Sequence, residues 1–284
     1  MSKLFLISLS LFICAFAQAA SVWEVTKNGN TAYIGGTVHV LSSTDYPLPP
    51  EYKKAYDASA KVVFETDMAA LQTAEFQQKT MNLLTYQDGR TFKDELSQDI
   101  VKALEAHLKL RAIPIENLLS FKPSMLSITL SMIELQIAGL TSQGVDQHYA
   151  NIAASDNKAV AWLESPDAQL QFMAGLGKGE EDALIQYTLD EIDTLEASIN
   201  ELRDQWRTGD MAAMKASQLD EMQRDFPQIY DDLLVVRNNN WLPQIKKMLV
   251  TPEVEFILVG ALHLSGDHSV LKMLGDAGYK IKKL

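Results

Sequence analysis

Short apolar runs, set far apart by longer amphipathic stretches, give this chain its rhythm. Val22-Trp23-Glu24-Val25 and Ala32-Tyr33-Ile34 are β-rich and flank Asn28-Gly29, a dipeptide suited to a tight hairpin turn. Lys61–Phe64, Val160–Leu163, Val254–Val259 and Tyr279-Lys280-Ile281 read as further strands, the run ending at Val259 being the most apolar. Continuous runs of this kind are expected where a strand is buried on both faces, as in a mainly parallel sheet covered by helices.

Between the strands the period changes. Leu96, Ile100, Leu104 and Leu108 recur four residues apart and predict a helix that stops before Pro114. From about Glu180 to Trp206, Ile185, Ile192, Ile199 and Trp206 are spaced by seven, with Leu195 and Leu202 between them. That stripe suits the buried side of a helix hairpin, or a dimer seam. The expected fold is α/β: a mainly parallel central sheet carrying a large inserted helical cap.

The first residues change the picture of where the protein works. MSKLFLISLSLFICAFAQAA has one early lysine, about a dozen apolar residues and a small-x-small exit at Ala17-Gln18-Ala19. The run is too short for a membrane span, so residues 1–19 read as a secretory signal peptide and 20–284 as the mature chain, periplasmic or secreted, with no integral membrane segment left. Cys14 is the single cysteine and is lost with that segment, which excludes disulfides and thiolate metal ligands. A net charge of -12, made one unit more negative by removal of Lys3, argues against nucleic acid as partner.

Chemistry in a parallel sheet gathers where strands end at their carboxyl termini. Four side chains are placed there: His39 in Gly36-Thr37-Val38-His39, Glu65 after Lys61–Phe64, Glu164 after Val160–Leu163, and His263 in Gly260-Ala261-Leu262-His263. The paired Gly-x-x-His segments suggest that Gly36 and Gly260 let the chain leave its strand in a conformation closed to other residues and leave room at the site. Two imidazoles and a carboxylate are a common donor set for a divalent ion, Mn, Co, Fe or Zn, with positions left open. His39, Glu65 and His263 are the expected ligands, and the second carboxylate, Glu164, could orient a ligand or take a proton from bound water. Directly before Ser165-Pro166, Glu164 equally fits a helix cap or a lysine partner.

Other polar positions read differently. His107 lies beside the Leu104/Leu108 stripe, as on a helix surface; His268 follows Gly266-Asp267, as in the first turn of a helix near the site. Asp146, in Gly144-Val145-Asp146, fits a helix N-cap or an acid facing the site. Pro243 predicts a break between one helix ending near Asn238 and another capped by Asn240. At such a break Arg237 could hold a carboxylate or an oxyanion, or form a surface salt bridge.

With these residues assembled, the chain resembles the TraB/GumN family, to which the animal TIKI metalloproteases are related. The resemblance rests on Gly36–His39 followed by Tyr46-Pro47-Leu48-Pro49, on Glu65, Gly144-Val145-Asp146, Leu163-Glu164, Arg237-Asn238 with Trp241, and Gly260–His263. It implies a core of the erythromycin esterase/ChaN-like kind and a site made of His39, Glu65, Arg237, Asn238 and His263. The expected function is an exported metal-dependent hydrolase, a metallopeptidase, acting on a peptide or small-molecule substrate. The alternative from a different class is a non-catalytic periplasmic protein that binds haem, iron or another metal.

Overall fold

The computed structural model describes residues 20–284, the side chains of Glu196 and Ala197 excepted. The segment expected to be a signal peptide, with Cys14, lies outside the described residues.

Asn28 and Gly29 both take positive φ, 53° and 88°, which closes a two-residue turn between β1 (Val22–Lys27) and β2 (Asn30–Thr37). β3 (Val40–Leu41) follows, then α1 (Pro50–Ala58) and β4 (Lys61–Phe64). Three helices come next, α2 (Ala74–Leu84), α3 (Gln98–Leu110) and α4 (Pro123–Ile137). They lead to β5 (Ser142–Gln143), α5 (Val145–Ser155) and β6 (Ala159–Trp162). The second helical stretch holds α6 (Pro166–Gly175), α7 (Glu181–Thr208), α8 (Met211–Met214), α9 (Asp220–Asp225), α10 (Pro227–Tyr230) and α11 (Val236–Met248). Two π turns, Lys215–Leu219 and Asp231–Val235, interrupt it. β7 (Glu255–Gly260), α12 (Val270–Asp276) and β8 (Lys280–Lys283) close the chain.

Six strands form one sheet in the order β6-β4-β7-β2-β1-β8. The first four of that list are parallel, whereas β1 runs antiparallel to both its neighbours. Because Thr37 pairs with Gly260 and Phe64 with Trp162, the four parallel strands finish at one edge. Leu163 and Glu164 continue the ladder by donating to the carbonyls of Phe64 and Glu65, at 3.0 and 2.9 Å.

β7 shows why its sequence is apolar without interruption. Phe256 and Leu258 pack into one core with Tyr52, Tyr149 and Trp206, while Ile257 and Val259 pack into the opposite one with Trp241, Ile245 and Leu274. A third apolar cluster joins Leu104 and Leu108 of α3, Leu126 and Leu130 of α4, and Ile185 and Leu189 of α7. The inserted helices thus have a centre of their own. α7 links it to the sheet: Ile185 lies in the cap core and Trp206 in the sheet core, so both ends of the expected stripe are covered by the chain itself. Trp206 is fully buried, and its indole N–H is shared between the Gly36 carbonyl (2.9 Å) and the Tyr52 hydroxyl (2.7 Å).

Three expectations are corrected here. The helix around Arg237 does not break: α11 runs through Pro243, which is in its interior, and Gln244 Nε2 bonds the Asn240 carbonyl at 3.3 Å and that of Leu163 at 2.7 Å. Tertiary anchoring of this kind sustains a helix that local propensity would end. Gly36 and Gly260 do not take positive φ, so their value is space rather than conformation. His107 is not on a helix surface but half buried, its Nε2 3.1 Å from Glu134 Oε1.

Candidate functional site

The carboxyl edge of the sheet brings together all six side chains singled out from the sequence. Glu65 and Glu164 leave adjacent parallel strands; His39 follows β2 by two residues; His263 sits in a 3-10 turn, Ala261–Leu264, after β7; Arg237 and Asn238 come from the first turn of α11.

His39 is aimed by a second, two-stranded sheet. β3 pairs with β5, Val40 opposite Gln143, which brings the first turn of α5 beside His39. Gly144 makes the approach feasible, since a Cβ there would stand 2.2 Å from the His39 carbonyl oxygen. Asp146, the second residue of α5, then meets His39 Nδ1 at 2.9 Å. Gly144, not Asp146, is the N-cap, and Asp146 is the buried partner of the histidine. Its attraction raises the His39 pKa to about 9, against partial desolvation. The imidazole keeps 68% of its side-chain surface open to solvent, so it borders a cleft accessible from outside.

His263 is the opposite case. It is 5% exposed, and burial drives its pKa down to about 3. Asn238 fixes its tautomer: the amide nitrogen donates to the carbonyls of His263 (3.4 Å) and His268 (3.0 Å), so Oδ1 must accept, at 2.7 Å, from His263 Nδ1–H. Nε2 is left as an acceptor, and Arg237 Nη1 donates to it at 3.2 Å. His268 itself lies in the loop before α12, its Nδ1 3.1 Å from the Tyr230 hydroxyl, rather than in the first turn of a helix.

Arg237 is the hub. Nη2 donates to Glu65 Oε2 and Glu164 Oε1, both at 2.6 Å, and Nε reaches Glu164 Oε2 at 3.4 Å. The guanidinium lies 4.6 Å from the Trp241 ring centre and 5.2 Å from that of Phe172. Glu164 also accepts from Trp241 Nε1 (3.2 Å) and Gln169 Nε2 (3.2 Å), so it is an anchor for Arg237 rather than a helix cap. Of five guanidinium hydrogens these bonds use four, leaving one on Nη1 without a partner among the described residues.

Glu65 takes the Gly260 N–H at 2.7 Å on its other oxygen. Burial favours its neutral form, but Arg237 first, then His263, His39 and that N–H, outweigh burial and hold the pKa at about 2. Gly260 contributes space as well. A Cβ there would stand 3.3 Å from Glu65 Oε1, 3.4 Å from His263 Cδ2 and 3.8 Å from His39 Nε2.

This arrangement does not fit a metal ion on the expected ligands. Arg237 already holds His263 Nε2 and one Glu65 oxygen, and Gly260 N–H holds the other. Among the described residues no group of three or more His, Cys, Asp or Glu side chains is disposed to hold a metal.

Sequence reading allowed Asp146 as an acid facing the site without pairing it with His39, and named Trp241 beside Arg237 without giving it or Phe172 as a wall around the guanidinium. The motif Gly144-Val145-Asp146 was the signal for the first.

Fold and cluster together define an α/β protein with a cluster of ionisable side chains at the carboxyl edge of a mainly parallel sheet. The chain belongs to the TraB/PrgY/gumN family, whose family model matches residues 21–283. It is also similar to a protein of Nematostella vectensis named Metalloprotease TIKI homolog, 22% identical over an alignment 315 positions long that covers 92% of this chain. The chain spans 66% of the length of that relative, under two thirds. No solved structure matches it. No helix among the described residues is long and apolar enough to cross a membrane.

Proposed function

We propose that this protein is an exported hydrolase that cleaves amide bonds of peptides, with His39 as the proton carrier and Arg237 as the oxyanion donor. Its core is of the erythromycin esterase/ChaN-like kind, and residues 1–19 direct export. The observation that carries the reading is the His39–Asp146 pair: one ring nitrogen is tied to a buried carboxylate at 2.9 Å while the ring borders an open cleft that Arg237 also lines. A histidine oriented in this way is a general base or acid in acyl transfer.

The chemistry balances on these groups. In its neutral form His39 Nε2 takes a proton from water as the water oxygen bonds to the carbonyl carbon. The spare Nη1 hydrogen of Arg237 meets the charge that develops on the carbonyl oxygen. The imidazolium returns the proton to the leaving nitrogen as the C–N bond breaks, giving a carboxylic acid and an amine. His263, neutral and locked by Asn238, and Glu164 hold the guanidinium in place.

The metallopeptidase form of this reading is supported by the printed name of the relative and by the convergence of His39, Glu65 and His263. An ion on those donors would require Arg237 to release both Glu65 and His263, so no step is assigned to it here. Peptide cleavage by the mature chain, followed by mass spectrometry of new termini with and without Mn, Co, Fe or Zn, tests the proposal. Cleavage is expected without added metal and should fall by about 10²-fold or more in His39→Ala and Arg237→Gln. Cleavage that needs the ion, with bound metal lost in His39→Ala, would replace this mechanism; no cleavage under any condition would end the hydrolase reading.

A further inference from the structure

Beside the His39–Arg237–His263 cluster lies a cavity of about 250 Å³ whose other walls are almost entirely hydrocarbon. Leu202 of α7, Met222 of α9, and Leu233 and Leu234 of the second π turn form its far side. No lysine, aspartate or glutamate lines it. π turns inside helices are frequent at functional sites, and this one supplies two of the four side chains on the cavity's far side. A cavity of about 150 Å³ lined by such side chains accommodates a benzene ring, so this one has room for a branched aliphatic or aromatic group.

We infer that this cavity is the specificity pocket of the site, receiving an aliphatic or aromatic side chain next to the bond that is cleaved. The inference rests on the hydrolase reading for its use but not for its test. A cationic side chain would be stripped of water against Leu202, Met222, Leu233 and Leu234 with no carboxylate in the lining to compensate it. Smaller side chains would leave the walls partly uncovered and forfeit apolar burial.

Binding is measured directly, with N-acetyl-phenylalanine amide, N-acetyl-alanine amide and N-acetyl-lysine amide titrated against the mature protein by methyl NMR. The phenylalanine probe should bind at least ~10-fold tighter than either of the others and shift the methyls of Leu233 and Leu234. Leu202→Trp or Leu233→Trp, each checked for folding by circular dichroism, should abolish that binding by filling the pocket. Equal affinity for the three amides, or phenylalanine-amide binding indifferent to both tryptophan variants, would overturn the inference. Peptide cleavage with no preference for an apolar residue beside the bond would also overturn it and leave the hydrolase standing. Selective binding without any cleavage would keep the pocket and remove the hydrolase.

Discussion

His39 and His263 are the same residue type in the same Gly-x-x-His setting, yet their surroundings push them in opposite directions. His39 faces a carboxylate and open solvent, and its proton is held to about pH 9; His263 faces a guanidinium and an amide in the interior and stays neutral down to about pH 3. Asp146 is the cause of the first shift, so Asp146→Asn should lower the His39 titration midpoint by at least about one unit, followed by the ring-proton NMR signal across pH. A midpoint that stays near 9 would show that another group holds the proton. Hydrolysis by neutral His39 should rise with pH toward 9 in the parent and reach its plateau at lower pH in the variant. The four strand-end residues were legible from the sequence because each lies within three residues of the end of an apolar strand. Asp146 was not, because its partner is 107 residues away and an acid early in a helix has an ordinary local explanation.

At the scale of elements, the strand positions are read well, although β6 is an edge strand with Val160 and Trp162 exposed rather than buried on both faces, and the helices around the site are not. An apolar run such as Val62-Val63-Phe64 or Ile257-Leu258-Val259 states its own burial. The path through Pro243 and the two π turns depends on what α11 packs against, with Gln244 reaching across to the end of β6 and Trp241 buried beside His263. The short β3–β5 pair was equally invisible, being two residues on each side, although it positions His39. Gly144 is its weak point. A methyl group there would collide with the backbone at Val38 and His39, which cannot yield as a side-chain end can. Gly144→Ala should therefore cost about 1–3 kcal/mol or more in urea unfolding and reduce activity beyond that loss, because His39 and Asp146 are displaced together. A variant as stable as the parent would mean that the pair is not held at this crossing.

For the whole molecule, the site sets the pH at which the fold is most stable. Below pH 6.5 the unfolded chain protonates residue 263 while the folded chain refuses that proton until about pH 3, so stability falls on acidification. Glu65 adds to the loss below about 4.5, since its native pKa is near 2. Above 6.5 the unfolded chain releases the proton of residue 39 while the fold retains it up to about 9, so stability falls again, less steeply because this ring is open to water. Melting temperatures from about pH 3 to about pH 9 should peak near pH 6.5, and His39→Gln should flatten the alkaline limb. A curve that climbs steadily to pH 9 would contradict the His39–Asp146 pairing. The sheet order has a further bearing, on the timing of folding. β7 lies between β4 and β2, although both precede it by most of the chain. Until Glu255–Gly260 has been synthesised, those two early strands have no common neighbour, and the two apolar cores have no centre. A nascent or truncated chain that stops short of β7 is therefore left with open strand edges and a sheet in halves, a form exposed to chaperones and proteases until the end of translation.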